Sequence, residues 1–538
     1  MPRADNRKHI SWPGIVSLAI CVLLASSCQR EPDIRYPNTF TVSSGADAKR
    51  LLPPLAGDST SGDIAGLLHN GLIKYDKDLK LVGELAESFQ ASPDCREVVF
   101  HLRKGVKWHD GEEFTADDVV FTYETFTNPE VPTPYGDSFG PVESVTAVDN
   151  YTVRVVYEKP YAPALESWGM GMMPRHHLGG KKIDDEQYTR RNIVGTGPYM
   201  LKKWITGQLI ELTANPDYFE GRPGIDSYIM RVIPDPATEF LELKTGGIDM
   251  MSLEPPQYKL KSGTEFFKQY FRKFRYPSFG FTYMGYNLKH KKFSDVRVRR
   301  ALGHAIDKKK IIKGVLLGYG RPATGPFPPE SWAYNPDVND PEYNPELAKK
   351  LLMEAGWKPG PGGRMEKDGE AFTFTLVTNK ENQKRGKAAQ IIKEDLKAIG
   401  IEMDIQVLEW QTFINEFINK RRFEVALLGW RLSLDPDIYD IWHSSKTGER
   451  EFNFVSYNNP EVDSLLIEGR QTCDIEKRRE IYRRIHEIIS EEQPYTFLFV
   501  PDQLPVLHKR FKGVEQSPVG IMYDFVRWRV PANKAEWY

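Results

Sequence analysis

The sequence predicts a mixed α/β protein. Three observations carry that expectation: strand-like and helix-like stretches alternate from about residue 37 onward, the strand-like runs are apolar and β-rich, and the helix-like runs open on capping residues with apolar positions at helical spacing. Taking the strands first, Glu97-Val98-Val99-Phe100-His101-Leu102, Leu209-Ile210-Glu211-Leu212-Thr213 and Tyr228-Ile229-Met230-Arg231-Val232-Ile233 are rich in the residues that pack on a pleated surface. Glu424-Val425-Ala426-Leu427-Leu428-Gly429 is a short apolar run ending in glycine, which reads as a buried strand delivering a site-like turn. Among the helices, Asp295 caps one whose apolar positions are Val298, Leu302 and Ile306. Asn344-Pro345 opens a second and Gly356 closes it. Asp474 caps a third, with Ile481, Ile485, Ile488 and Ile489 on one face. Such alternation favours sheets rich in parallel pairing.

Length and composition bound the rest. A chain of 538 residues implies more than one domain, roughly two to four. Hydrophobic residues make up 40% and charged residues 27%, enough for sizeable cores. The formal net charge is -2, so there is no basic surplus of the kind nucleic acid requires, and no bias toward a strongly acidic or basic ligand. Aromatic residues reach 12%, a supply from which an organic-ligand site can be lined, although most such residues serve cores. The four cysteines are Cys21, Cys28, Cys95 and Cys473, too few for a disulfide scaffold. Cys95 and Cys473 pair only if the fold brings them together.

The first 28 residues have the layout of a secretory signal: Arg3, Arg7 and Lys8, then an apolar stretch from Ile15 to Ala25, then small residues. The apolar part is shorter than the ~20 residues a membrane-spanning helix needs. Leu24-Ala25-Ser26-Ser27-Cys28 resembles the bacterial lipobox, although Ala25 stands where leucine is commoner. The resemblance implies that Cys28 is lipidated and becomes the first mature residue, anchoring the chain to a membrane. Plain secretion with an incidental cysteine is the alternative. Residues 29–36 are mostly polar, with Pro32 inside and Pro37 just beyond, and read as a tether.

Residues 85–124, LAESFQASPDCREVVFHLRKGVKWHDGEEFTADDVVFTYE, carry the most specific signal. Leu85-Ala86-Glu87-Ser88, Lys107-Trp108-His109-Asp110-Gly111 and Phe114-Thr115-Ala116-Asp117-Asp118-Val119 resemble the signature of the peptide/nickel-type bacterial solute-binding proteins, family 5. Val194-Gly195-Thr196-Gly197-Pro198-Tyr199, Asn215-Pro216-Asp217-Tyr218-Phe219, Asp295-Val296-Arg297-Val298-Arg299, Glu409-Trp410 and Gly429-Trp430 resemble later blocks of the same family. The stretch Leu434-Asp435-Pro436-Asp437, followed by Ile441-Trp442-His443-Ser444-Ser445, resembles its oligopeptide-binding, AppA-type branch.

That resemblance implies a periplasmic-binding-protein type II fold: two lobes joined by two crossing strands, the first lobe carrying a small inserted subdomain. The expected division is residues 37–56, 185–280 and 495–538 for lobe I, 57–184 for the small subdomain and 281–494 for lobe II. Hinge crossings are expected near 275–287 and 490–500. It also implies a function: a monomeric, lipid-anchored, periplasmic or cell-surface component of an ABC importer, closing on an oligopeptide and handing it to a membrane permease. No cofactor is expected.

The candidate ligand residues follow from the same blocks. Trp430 and Trp410 match family tryptophans that line side-chain pockets, where indole offers large, weakly selective contact; core packing is the alternative for each. Related binders place an aspartate three residues after the first tryptophan to meet the peptide α-ammonium. Here that position is Ser433, in a loop one residue shorter. Asp435 takes over only if the turn rotates it inward; otherwise it caps the helix after Pro436. Asp58-Ser59-Thr60 falls at the family's first-lobe ligand loop, where an extended peptide pairs with main chain, the alternative being a solvated turn. Tyr283 lies beside the expected hinge, facing the cleft or the core.

Rival readings remain open at this point. An oligosaccharide ligand would suit stacked tryptophans. A cell-envelope hydrolase would need a nucleophile and base facing the cleft, and a peptide-sensing co-receptor would need no permease. The sequence shows no Walker A loop and no Gly-x-Ser-x-Gly elbow, so the expectation is a binder and not an enzyme. His176-His177 have no nearby cysteine or carboxylate partner in sequence to complete a metal site, and His109 reads as structural.

Overall fold

A computed structural model describes residues 38–518 and 520–531 of the chain. The expected signal segment, lipidation site Cys28 and tether 29–36 lie outside these residues. Strand β1 (Thr39–Ser44) leads to helix α1 (Ser59–Leu68), then to four strands, β2 (Ala86–Ala91), β3 (Glu97–Leu102), β4 (Val142–Asp149) and β5 (Thr152–Tyr157), with helix α2 (Ala116–Thr127) between β3 and β4. Next come β6 (Tyr199–Ile205), β7 (Leu209–Ala214), β8 (Ser227–Val232), helix α3 (Pro236–Thr245), β9 (Met250–Ser252) and β10 (Phe271–Lys273). The chain then runs through β11 (Tyr276–Pro277), β12 (Gly280–Tyr286), α4 (Val296–Ala305), β13 (Gly320–Pro322), α5 (Pro345–Glu354), β14 (Thr373–Asn379), α6 (Gln383–Lys397), β15 (Glu402–Leu408) and β16 (Val425–Arg431). It finishes with α7 (Pro460–Gln471), α8 (Ile475–Glu492), β17 (Tyr495–Gln503) and β18 (Pro505–His508).

Three sheets organise these strands. The first runs β10-β18-β9-β1-β8-β7-β6, the second β11-β17-β12-β16-β14-β15 with β13 on β17, and the third β2-β3-β5-β4. The third is antiparallel throughout. Among the described residues parallel pairing is confined to β1 with β8 and β9, and β14 with β15 and β16, which corrects the expectation of parallel-rich sheets. The reason is local: hairpins such as β6-β7 close over short turns, and antiparallel pairing needs no crossover helix.

The elements themselves fall where capping and periodicity put them. Asp295, Asn344 and Asp474 each accept a hydrogen bond from an amide in the first turn of the helix they open. Gly356 has φ +92°, the left-handed conformation that glycine adopts without a Cβ clash, and so ends α5. On α8, Ile485 and Ile489 are fully buried and Ile481 and Ile488 nearly so.

The chain crosses between the first and second sheets twice, at residues 274–275 and at Gln503–Pro505. The return crossing is later than 490–500 because β17, nine residues and buried up to Val500, stays paired to β12 and β13 in the second sheet. At the front of the chain, α1 packs Ile64 and Leu68 into the core beneath the first sheet, with Phe40, Tyr199 and Leu212, and not into the small antiparallel unit. That unit has its own core around Phe100, Trp108, Val155 and Trp168.

The Val194–Tyr199 block packs its backbone closely on α1 and is gripped from the small unit by His109. A Cβ on Gly195 would lie 1.8 Å from the Leu68 carbonyl oxygen, and one on Gly197 2.4 Å from that of Leu67. His109 accepts from the Gly195 amide through Nδ1, and its Nε2 meets the Gly197 carbonyl. The Val194–Tyr199 block is therefore a contact that only glycine permits.

Candidate functional site

The carboxyl ends of the parallel pairs β14-β15 and β14-β16 converge at Asn379, Leu408 and Trp430–Arg431. In α/β sheets this edge is where ligands are held. Trp430, half-buried, stacks over Tyr283 at 6.4 Å and Phe454 at 6.0 Å, with Phe452 edge-on at 5.6 Å. Its Nε1 donates to the Tyr495 hydroxyl at 3.4 Å. Beneath it Tyr283 is fully buried and lies face to face with Tyr495, ring centroids 3.9 Å apart. Tyr283 thus forms the floor under Trp430 and does not itself reach the surface.

Sequence reasoning missed the charged group at this edge. Arg385, in the first turn of α6, donates through Nη1 to Asn379 Oδ1 at 2.9 Å, and its Nε is buried without a partner. No carboxylate pairs with it among the described residues. Burial pushes its pKa down, partly offset by Tyr283. A Cβ at position 429 would come within 3.1 Å of Arg385 Nη2, so Gly429 leaves room for the guanidinium over β16. The legible signal was positional: Arg385 opens the helix that follows a parallel strand end.

Trp410 sits beside this group with 40% of its surface exposed. Its amide donates to Glu381 Oε1 at 3.3 Å, and Glu381 Oε2 accepts from Asn379 Nδ2. Trp430, Arg385 and Trp410 therefore share one edge of the second sheet.

The first lobe faces this edge. Lys384 pairs with Glu254, which follows β9, at 3.1 Å. Asp63 on α1 is held above the usual carboxylate range by burial, and Arg431 across the seam pulls it back. The Asp58-Ser59-Thr60 segment is the N-terminus of α1: Asp58 is the cap, accepting from the Ser61 amide and hydroxyl, and the Thr60 hydroxyl bonds that of Ser44. Its backbone turns into helix, so it offers no strand edge for a peptide to extend.

In the loop after β16, Asp435 is held by local and long-range partners. The Asp435 carboxylate is clasped by both Nη atoms of Arg478, at 2.9 and 3.0 Å, and accepts from the Asp437 amide. Its charge is thus already matched. Burial pulls the Arg478 pKa down, but Asp435 more than reverses it and leaves it raised. The exposed Ser433 donates to the Asp435 carbonyl at 2.7 Å. Asp437 is matched in the same way by Arg470 at 2.8 Å.

Across the seam from this loop stands Glu166, in the 3-10 turn Ala162–Gly169 of the small unit; it accepts from the Asp435 amide at 3.1 Å. Its carboxyl is pushed up to about 8, chiefly by burial and then by the Asp435 carboxylate. The unfolded chain releases this proton near 4.5, so the folded protein holds one proton more between about 4.5 and 8. Stability contributed by Glu166 therefore falls as pH rises through that window. Melting temperature measured from pH 5 to 8.5 should decline less steeply in Glu166→Gln than in the parent; equal slopes would remove Glu166 as the cause.

The histidines are accounted for locally. His176 pairs with Asp110 at 2.8 Å, and His177 meets the Asn192 carbonyl at 3.1 Å. Both lie in a short helix, Arg175–Leu178, and not in a strand. No cluster of three metal-ligating side chains occurs among the described residues.

With this geometry in view, likeness to known proteins decides the family. The model of bacterial extracellular solute-binding proteins, family 5 Middle, matches residues 80–451. The chain belongs to family 5 of the bacterial extracellular solute-binding proteins. Within this family it is 36% identical over 489 residues to the oligopeptide-binding protein AppA of Bacillus subtilis, covering 88% of each chain. The solved structure of that protein in complex with a nonapeptide matches with a TM-score of 0.80 at 34% identity, over 92% of this chain and 99% of the other. NikZ from Campylobacter jejuni, solved with Ni(L-His), matches with a TM-score of 0.82 at 27% identity, over 92% and 100%. Two lobes joined by a double crossing are thus the family fold. Among the described residues no helix is long and apolar enough to cross a membrane.

Proposed function

We propose that this family-5 solute-binding protein captures oligopeptides between its two lobes and delivers them to the permease of an ABC importer. The supporting observation is near-full-length likeness to a protein solved with a nonapeptide, at 34% identity, in a chain whose second lobe presents near Trp430 a half-buried Arg385 with no carboxylate partner among the described residues. A peptide supplies what that edge lacks. Its carboxylate meets the Arg385 fork, and its side chains pack on Trp430 and Trp410. The α-ammonium finds no free aspartate at Ser433 or Asp435, so long peptides held by backbone and side chains fit better than a strict dipeptide rule.

Function follows from closure. Ligand that touches both lobes only when they meet shifts the population toward the closed form, and a permease then reads that form. Lipidation at Cys28 would hold the protein at a membrane, in the periplasm or on the cell surface, and raise its local concentration near the permease. The protein acts as a monomeric binder and catalyses no reaction.

The test is native mass spectrometry of the chain from Gln29, purified from its own host and then denatured. A heterogeneous set of co-purifying peptides is the expected result. A single sugar or metal complex would replace this reading with that of a narrower binder.

A further inference from the structure

Cys95 and Cys473 are bonded, with Cα atoms 6.0 Å apart and a sequence separation of 378. Their positions give the bond its meaning. Cys95 lies in the turn joining β2 to β3 of the small unit, where its amide donates to the Ser92 carbonyl at 2.9 Å. Cys473 lies between α7 and α8 of the second lobe, one residue before the cap Asp474. The bond therefore joins two bodies that the chain otherwise connects only through the hinge strands.

Each end is rigidly mounted. β3 pairs with β5, and β5 leads into the turn that carries Glu166. On the other side, Arg478 stands in the first turns of α8 and clasps Asp435, whose amide meets Glu166. The strap and the Glu166–Asp435 hydrogen bond thus cross the same seam between the same two units. Opening about the hinge must break the second, and the first forbids wide separation while it lasts. Both cysteines are half-buried and within reach of a reductant.

We propose that the Cys95–Cys473 disulfide is a redox-controlled strap that limits how far the lobes open. A protein dithiol of the reducing pathway attacks one sulfur as thiolate, forming a mixed disulfide and releasing the other cysteine. Its second thiol resolves the mixed disulfide, so the strap gains two electrons and two protons and the dithiol leaves oxidised. With the strap closed the hinge samples a narrow range, and with it open the full range. This inference concerns opening alone and does not depend on which ligand is bound.

Small-angle X-ray scattering of the ligand-free chain from Gln29, which retains every described residue, reads the opening directly. Alkylation and mass spectrometry count the free thiols in each sample. The expected result is no free thiol before reduction, an upward shift in radius of gyration after dithiothreitol, and the larger value with or without reductant in Cys473→Ser and Cys95→Ser. Two free thiols in the untreated protein, or an unchanged radius on reduction, would overturn the proposal. A cooperative thermal melt in the reduced sample separates opening from unfolding; its loss would also overturn it. Because no ligand is used, failure here leaves the peptide reading standing, and failure of that reading leaves the strap.

Discussion

Arg385→Met should lower affinity for a bound oligopeptide by about 2 kcal/mol or more, roughly thirtyfold, while leaving the protein as stable as before or more so. The two halves of this expectation have one cause. A half-buried guanidinium beside Tyr283 and Gly429, with no carboxylate partner among the described residues, has lost part of its water, its Nε being buried without a partner, and has gained the Asn379 side-chain carbonyl oxygen. Its desolvation is uncompensated until a ligand brings an anion. Methionine fills similar volume without that cost. Arg385→Lys keeps the charge but loses the planar fork, so it should fall between the two. Calorimetric titration with a nonapeptide and urea unfolding of the same samples check both halves. Undiminished affinity would remove Arg385 from the site, and a large stability loss would make it a structural group.

Asp435→Ala has the opposite signature. The Arg478 and Asp435 side chains are 5% and 11% exposed, so removing the carboxylate strands a buried cation. Breaking such a pair typically costs about 3–5 kcal/mol. Urea unfolding should show that loss, and Asp435→Ala combined with Arg478→Met should recover a good part of it. If Asp435 were instead the anchor of a peptide α-ammonium, stability would hold and affinity would drop. Comparing the unfolding midpoint with the calorimetric affinity for one variant therefore decides between the two roles. The Arg385 and Asp435 results together distinguish a charge waiting for ligand from a charge already spent on the fold.

Much of the architecture was legible because it is local. Caps at Asp295, Asn344 and Asp474, the left-handed stop at Gly356 and the apolar run into Gly429 each depend on a few neighbouring residues, and the structure places them there. Residues 85–124 and the later blocks carried the family, since forty ordered positions are far more specific than a short motif. Trp430 was readable as a residue delivered by a buried strand to its open end.

What the chain could not reveal by itself is pairing at long range. That Asp435 is consumed by Arg478, 43 residues on, is invisible in a loop whose spacing equally allowed an inward turn. Glu166 meets Asp435 across 269 residues, and Cys95 meets Cys473 across 378; no local pattern marks either. The return crossing moved past 500 because β17 keeps pairing with β12 and β13, a matter of sheet register and not of propensity. Sequence alone determined the elements, the family and the aromatic edge, because these rest on short-range chemistry and ordered motifs. Only the tertiary structure decided which charges are free and which side chains bridge the lobes, because a charge's role depends on the partner that folding brings within a few ångströms.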